Sequence, residues 1–327
     1  MIDREGGSNF VALPQPHSAL AWIPPLVVWG VFAAMLVLAV RGVALYASPI
    51  PRWDDLGWVE ALASDSGLDP AWLWSAHNDH RLPLPRLIGV PIARAAGDLR
   101  AVLHFDVALL GAVAASMIAA LRRLRGSTEL SDAAFPLLLL TPGASEMLLV
   151  LQGITYILPI ALLGSILALV AWRRDALGPR RALAIATCTF LLPLCGGPGL
   201  VTAPLILAWM LVVGWRARGS DHRPSATSLV LWIGTAATAI LIALYFVGFE
   251  HAPRGTWNPS WTNVCLQATQ FLTLGLGPSA ATTWPWSAAP LLLLAIGATV
   301  ALARAWLTEP QERVRVSGIA TLILAVI

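Results

Sequence analysis

Long stretches without a single charged residue are the feature of this chain that most constrains its fold. Five such runs cover residues 18–40, 147–172, 182–215, 226–249 and 255–303. A bilayer core is about 30 Å thick, and about 20 apolar residues of helix cross it, so each run is long enough for at least one crossing. Because 57% of the residues are hydrophobic and 12% are charged, the runs predict an all-α, polytopic transmembrane helix bundle rather than a soluble protein.

Arginine clusters give the predicted helices an orientation. They lie beside the apolar runs, within residues 122–125, 173–181, 216–223 and 304–315. Cytoplasmic loops are enriched in basic residues, and even numbers of crossings between successive clusters would place all of them on that side. The net charge of +3 then reports membrane topology rather than nucleic-acid binding.

This pattern predicts helices at specific positions. We expect them at about residues 19–46, 100–121, 132–149, 154–172, 226–248 and 286–306. The run at residues 182–215 supplies two more, with a turn at Gly196-Gly197-Pro198-Gly199. A further apolar segment starts near Val316 and is too short to span before Ile327, so we expect a sequence that is truncated at its C-terminus.

The predicted organisation is a single transmembrane domain over about residues 19–327, after a cytoplasmic tail at residues 1–18. About eight or nine helices span the bilayer, with external loops at about residues 47–99 and 249–285. All 21 basic residues are arginine, which is typical of GC-rich coding. We therefore expect a multi-pass protein of a bacterial inner (plasma) membrane, with its N-terminus in the cytoplasm.

The first external loop carries polar residues that folding alone does not require. An acidic pair, Asp54 and Asp55, directly follows the first helix, and the same loop later contains His77-Asn78-Asp79-His80-Arg81. Tryptophans on both sides of these residues suit the membrane–water interface. We expect the loop to form short amphipathic helices that roof the bundle.

The acidic pair has two interpretations that the sequence leaves open. A carboxylate half-buried under aromatic residues can act as a general base, or bind a metal or a sugar hydroxyl. An aspartate before a helix can equally accept hydrogen bonds from the first-turn N–H groups, so capping is the alternative for Asp54 and Asp55.

The second polar string also has alternatives. If it is helical, His77, His80 and Arg81 share one face. A metal site made from the two histidines and one of the acidic pair stays open, since imidazole and carboxylate are ordinary ligands. Arg81 and Arg86 are candidates for binding a phosphate or pyrophosphate.

Ionisable residues elsewhere in the predicted bundle are secondary candidates. Glu146 lies at the outer end of the helical hairpin at residues 132–172, where an ionisable group usually faces a cavity and a solvated turn is the alternative. Asp106 lies one turn inside a predicted helix, and an ion pair with Arg100 or Arg41 is its plain explanation.

The layout resembles the GT-C class of integral membrane glycosyltransferases. The resemblance covers most of the chain: a cytoplasmic N-terminus, a long first external loop with amphipathic helices, and many further helices. Trp53-Asp54-Asp55 matches the position at which that class carries its catalytic acid. The string at residues 77–81, followed by Leu-Pro-Leu-Pro-Arg-Leu, also resembles a motif of uncharacterised bacterial multi-pass proteins.

The resemblance implies transfer of a sugar from a polyprenyl-phosphate donor to a glycan, lipid or protein acceptor on the external side of the bilayer. Asp54 or Asp55 would be the base for the acceptor hydroxyl. Arg81, with His77 or His80, would stabilise the departing phosphate. The remaining substrate-site residues would be Asn78, Asp79, Arg86 and Glu146.

The resemblance implies no cofactor, and a divalent metal stays open. The second external acidic motif of the metal-dependent members is absent unless Glu250 serves. The sequence also contains no Walker loop, dinucleotide-binding glycine pattern, zinc-protease helix or lipase elbow.

Two other functions fit the same sequence. A transporter or lipid flippase would use Asp106, Glu146 and the helix break near Gly196 as a substrate path. A non-catalytic scaffold would bind a protein partner through the external polar cluster. Convergence of the acidic pair, His77 and Arg81 on one outward cavity that opens sideways to lipid favours the transferase, and the transferase hypothesis fails if they scatter over the roof.

Overall fold

The chain folds into helices that connect through short turns. A computed structural model describes residues 21–64, 68–172, 176–218, 223–249, 260–274 and 279–326, without the side chains of residues 144–146, 271–272, 274, 279, 281 and 325–326. The α-helices are α1 Ile23–Tyr46, α2 Val59–Ala63, α3 Pro70–Trp74, α4 Pro83–Ala96, α5 Arg100–Arg125, α6 Ala134–Leu139, α7 Ser145–Leu148, α8 Ile154–Ala171, α9 Pro179–Leu191, α10 Gly197–Arg216, α11 Ala226–Tyr245, α12 Trp261–Leu274, α13 Ser279–Thr282, α14 Ala288–Thr308 and α15 Arg313–Val326.

Shorter elements lie between these helices. An antiparallel hairpin of two-residue strands, β1 Ala76–His77 and β2 His80–Arg81, connects α3 to α4. The 3₁₀ helices are Trp53–Trp58, Leu130–Ala133, Pro142–Ala144, Leu151–Gly153, Leu192–Cys195 and Pro310–Glu312. The all-α fold class is confirmed.

Six helices of the described part are long and apolar enough to cross a membrane: Ile23–Tyr46, Arg100–Arg125, Leu151–Ala171, Gly197–Arg216, Ala226–Tyr245 and Ala288–Thr308. A multi-pass helical membrane protein is therefore the architecture, and each of these spans lies within a few residues of a predicted helix. The expected number of eight or nine spans is not reached in this part of the chain.

The missing spans are helices that end early. The helix expected at residues 132–149 is instead a ten-residue apolar stretch, Leu130–Leu139, followed by separate short turns. Pro142 explains the break, because a proline cannot continue a helix and restricts the residue before it to extended conformations. Helix α9 has 13 residues before the 3₁₀ turn at Leu192–Cys195, so it is shorter than a membrane crossing requires.

Helices α5, α8 and α10 form the inner part of the bundle, with about half of the residues in their most hydrophobic windows buried. One apolar cluster joins α8, α9, α10, α11 and α15 around Ile166, Ile185 and Met210. A second joins α5 to α8 through Val113, Met117 and their neighbours. Helix α14 lies at the periphery, since none of the residues in its hydrophobic window is buried.

The two ends of the bundle differ in charge. We call residues 51–99, between α1 and α5, the polar cap. The cap contacts the start of α10 and the end of α11, so these helix ends lie on one side. Described arginines of three of the four clusters lie at the opposite helix ends, at the C-termini of α5 and α10 and the N-terminus of α9. The cap and these arginines therefore lie at opposite ends of the bundle, and the side of the membrane that each end faces stays a prediction.

The α5–α8 contact offers a test of the packing. A methyl group at Gly164 would meet Val113 Cγ1 at 2.5 Å, whereas one at Gly30 of α1 would meet nothing within 4 Å. We expect Gly164→Ala to lower the free energy of unfolding by about 1–3 kcal/mol, because the β-branched Val113 cannot move aside without strain. Thermal unfolding in lipid nanodiscs measures this.

Gly30→Ala is the matched control, since it makes the same change in a helix with open space around it. It should leave the unfolding temperature unchanged or raise it slightly, because alanine favours helix over glycine. Equal effects of both substitutions would contradict the close approach of α5 and α8.

Candidate functional site

The polar cap is built from short helical turns that tryptophan and proline residues define. Asp69 begins α3 as its N-cap, accepting hydrogen bonds from the backbone N–H groups of Ala71 and Trp72 at 3.0 and 3.2 Å. Trp58 is fully buried at the centre of an apolar cluster that joins the cap to α5 and α8. The cap is therefore packed onto the bundle. This is the position expected for the loop from the sequence.

Asp55 binds the cap to the bundle. Its side chain is 4% exposed. One carboxylate oxygen accepts a hydrogen bond from the backbone N–H of Gln152 at 2.7 Å, and the other accepts from the N–H of Arg52 at 3.3 Å. The indole N–H of Trp58 also donates to the side chain of Gln152, at 2.8 Å. Both oxygens of Asp55 are thus engaged by backbone groups.

Asp54 has a different environment from its neighbour. Its side chain is exposed on the same 3₁₀ helix, Trp53–Trp58. It is close enough to His77 for its negative charge to act on the titration of that imidazole. The acidic pair therefore divides into one carboxylate in the interior and one at the surface.

The segment at residues 76–81 is a hairpin and not a helix. His77 is paired with His80 across the strands, and Asn78 occupies the turn in the left-handed region, at φ 51°. The shared helical face considered for His77, His80 and Arg81 therefore does not form. No group of three or more metal-binding side chains occurs in the described ranges, so a metal site built from the histidines and the acidic pair finds no support.

Arg81 binds carbonyl groups at the C-terminal end of α11. Its Nε donates to the carbonyl oxygen of Tyr245 at 3.0 Å, and its two terminal nitrogens donate to those of Trp74 and Val247 at 2.7 and 2.8 Å. The backbone N–H of Arg81 also donates to the hydroxyl of Tyr245. A cation at the C-terminus of a helix satisfies unpaired carbonyl groups and the helix dipole. This guanidinium, 7% exposed, is used for holding the cap in place.

Arg86 has the same role at the end of α3. One terminal nitrogen donates to the carbonyl oxygens of Trp72 and Ser75 at 2.5 and 2.9 Å, and the guanidinium lies 4.5 Å from the ring centroid of Trp72. Burial lowers the pKa of Arg86 to about 10. Its Nε is buried without a hydrogen-bond partner in the described part of the chain.

His77 lies between the exposed carboxylate and this buried cation. Its ring packs on Gly57, where a methyl group would meet the imidazole at 2.8 Å. Burial lowers the pKa of His77 and Arg86 lowers it further, while Asp54 opposes them. Its Nε2 is buried and has no partner among the described residues. Among the described residues, Nε2 of His77 therefore has no hydrogen-bond partner, and the positive charge of Arg86 acts on the same ring.

His80 extends the group to the beginning of α10. Its side chain is exposed, and its ring approaches Gly197 so closely that a methyl group there would meet Cε1 at 2.7 Å. Gly196, at φ 98°, turns the chain into α10, and this helix begins without a side-chain cap. A 20-residue helix thus presents its positive dipole end beside an imidazole.

The sequence-derived candidates therefore separate into two sets. Asp55, Arg81 and Arg86 hold cap elements together, and Asp54, His77 and His80 form a surface group that Asn78 and the half-buried Asp79 adjoin. The transferase prediction required Asp54, Asp55, His77 and Arg81 to line one cavity. They do not, because Asp55 and Arg81 belong to the first set. The side chain of Glu146, all of Glu250 and residues 1–18 lie outside the described residues.

Two cavities lie elsewhere on the bundle. One, of about 380 Å³, is an apolar groove between α1 and α5 that begins at His104 and is lined by residues such as Phe32, Leu36 and Gly111. The other, of about 360 Å³, lies near Trp29 and Arg122 at the basic end. The groove was not predicted, because it depends on which small residues of α5 face α1.

Comparison with models of protein families, with curated proteins and with solved structures found no match to this chain.

The division of the acidic pair predicts unequal effects on stability. Asp55→Asn places an amide N–H against a backbone N–H, so we expect it to lower the free energy of unfolding by about 1–3 kcal/mol. Asp54→Asn, on an exposed side chain, should change it by less than about 0.5 kcal/mol. Chemical unfolding of the two variants in the same detergent measures the difference, and equal losses would contradict the structural role of Asp55.

The environment of His77 predicts a pH dependence. The folded state binds a proton at His77 less readily than the unfolded state, whose pKa is about 6.5. The stability from neutral His77 is therefore fully present above about pH 6.5 and is lost as the pH falls through the lowered pKa. We expect His77→Gln to unfold with a shallower dependence on acid than the wild type. Identical slopes in unfolding series below that pH would argue against this environment.

Proposed function

We propose that the protein is a membrane glycosyltransferase that moves a sugar from a polyprenyl-phosphate donor to an acceptor at the face of the polar cap. The convergence expected of the acidic pair, His77 and Arg81 is met only in part, because Asp55 and Arg81 bind backbone groups. The observation that supports the proposal most is the smaller surface group that remains. An exposed carboxylate, two imidazoles and the uncapped N-terminus of a long helix lie together at Asp54, His77, His80 and Gly197. A base beside anion-binding groups is what such a transfer requires.

Asp54 is the favoured base. The acceptor hydroxyl must lose its proton as its oxygen attacks the anomeric carbon, and an accessible carboxylate can take that proton. Asp55 is less suited, because backbone N–H groups engage both of its oxygens. His77, beside Asp54, orients the carboxylate or passes the proton on.

The phosphate is the leaving group. The bond between the anomeric carbon and the phosphate oxygen breaks, and the electron pair stays on the departing polyprenyl phosphate. Groups that favour this negative charge are present at the cap: the positive end of α10 beside His80, and the buried cation Arg86 with its unpartnered Nε. Arg81 adds positive charge to the same region, although its nitrogens already bind carbonyl groups.

A lipid-linked donor also fits the rest of the surface. The groove between α1 and α5 is almost entirely apolar and runs along two membrane-spanning helices, so a prenyl chain can lie in it. With the basic end in the cytoplasm, the cap lies on the external side of a bacterial inner membrane. On that side the donor is a lipid-linked sugar rather than a cytoplasmic nucleotide sugar.

The test compares cells that carry the wild type, Asp54→Asn, Asp55→Asn and Glu60→Gln. Glu60 is an exposed acid of α2 in the same cap and serves as the matched control. We expect Asp54→Asn to lower transfer by about 10²–10⁴-fold, the usual contribution of a general base, with accumulation of the lipid-linked sugar and loss of surface glycan. Asp55→Asn should reduce the amount of folded protein more than the turnover of the protein that remains.

Quantification of membrane-inserted protein by immunoblot separates these effects. Normal lipid-linked sugar pools and glycans in cells with inserted Asp54→Asn would refute the proposed function. A loss of transfer with Glu60→Gln equal to that with Asp54→Asn would show that cap charge, rather than a base, is responsible.

A further inference from the structure

A buried carboxyl group in α5 has no role in the cap. Asp106 is 0% exposed, and neither of its side-chain oxygens has a hydrogen-bond partner in the part of the chain that the structure describes. It lies within a helix that is long and apolar enough to span the membrane. An isolated negative charge in such surroundings costs several kcal/mol, so this group must hold either a proton or a ligand.

The ion pair expected for Asp106 is absent. Arg100 binds Asp98 instead, at 2.7 Å, and Arg41 is exposed on α1. The other titratable or charged groups on elements packed against α5 are engaged or at the surface: Arg86 and Arg94 bind carbonyl groups of the cap, Tyr156 of α8 is half-exposed, and His104 on α5 binds a backbone carbonyl. The side chain of Glu146 in α7 lies outside the described residues.

The neighbours of Asp106 on α5 show what covers it. Val102, four residues before it, packs in the cluster that contains Leu151 and Ile154. Leu103 and Leu110, three before and four after, pack in the cluster that contains Leu148 and Ile157. Residues three and four apart share a helix face. Asp106 therefore faces the segment at residues 148–157, which forms the beginning of the next span.

The same segment is tied down by the polar cap. Asp55 accepts the backbone N–H of Gln152, and the indole of Trp58 donates to the side chain of Gln152. These two hydrogen bonds join the cap to the chain that covers Asp106.

We propose that Asp106 is a reversible proton-binding site inside the membrane, which exchanges its proton with the cap side when the contacts to Gln152 open. The ligand is a proton rather than a metal ion, because no cluster of three metal-binding side chains exists among the described residues. The step is the protonation of one carboxylate oxygen to give a neutral carboxylic acid, and its reverse. It does not depend on the proposed transfer activity.

The test uses the full chain in nanodiscs and dicyclohexylcarbodiimide, an apolar reagent that modifies protonated carboxyl groups in membranes. Peptide mass spectrometry locates the adduct. Asp132 is the internal control, since it is 1% exposed but paired with Arg125 as a carboxylate. In mildly acidic buffer we expect at least about tenfold more adduct on Asp106 than on Asp132, falling about tenfold for each pH unit above the midpoint.

A water-soluble carbodiimide tests the access route. Trp58→Phe keeps the buried ring and removes one hydrogen bond to Gln152, so it should increase labelling of Asp106 by this reagent over the wild type. Absence of labelling at any pH, or labelling that does not change with pH, would overturn the proton site. Equal labelling of wild type and Trp58→Phe would overturn the exchange route. Because the readout is the adduct itself, failure of the transferase proposal leaves this result intact.

Discussion

The two hydrogen bonds that join Gln152 to the cap are the contacts on which the arrangement of the cap depends: its backbone N–H donates to Asp55, and the indole N–H of Trp58 donates to its side chain. Burying a carboxylate costs free energy unless hydrogen-bond donors replace the water that it loses. Two backbone N–H groups donate to Asp55 here. One of these donors belongs to the beginning of the span Leu151–Ala171, so a short 3₁₀ helix after α1 is fixed to a helix about a hundred residues later in the chain. The position of Asp54 on the surface follows from the burial of its neighbour.

Two arginines complete the cap by a related principle. Arg81 and Arg86 bind the carbonyl groups at the ends of α11 and α3 rather than carboxylates. Carbonyl groups accept hydrogen bonds from both guanidinium groups but carry no net negative charge to cancel theirs, so the cap keeps a cationic interior beneath an exposed aspartate. The positive charge of Arg86 acts on His77, whose pKa is lowered by burial and by this arginine. The same contacts that hold the cap together therefore also set the charge around His77.

Hydrophobic runs and turn residues predicted most of the membrane bundle. The spans that begin near Arg100, Ile154 and Ala226 follow from the lengths of the apolar runs, and the turn at Gly196 follows from the glycine residues there. The prediction of a helix at residues 132–149 was wrong. It relied on the length of the apolar segment and did not take into account that Pro142 interrupts a helix locally. The hairpin at residues 76–81 was also missed, since its pairing depends on Asn78 in a left-handed turn and on the packing of His77 and His80 against distant glycines.

The candidate site was predictable as a set of residues but not as a division of roles. Sequence could not separate Asp54 from Asp55, because adjacent residues differ only in which side of the 3₁₀ helix packs against Gln152. Carbodiimide footprinting with a soluble amine tests whether Asp54 is accessible and Asp55 is not. We expect modification of Asp54 and Glu60 but not Asp55, with Asp54 alone protected when a polyprenyl phosphate is added. Modification of Asp55, or equal protection of Asp54 and Glu60, would contradict it.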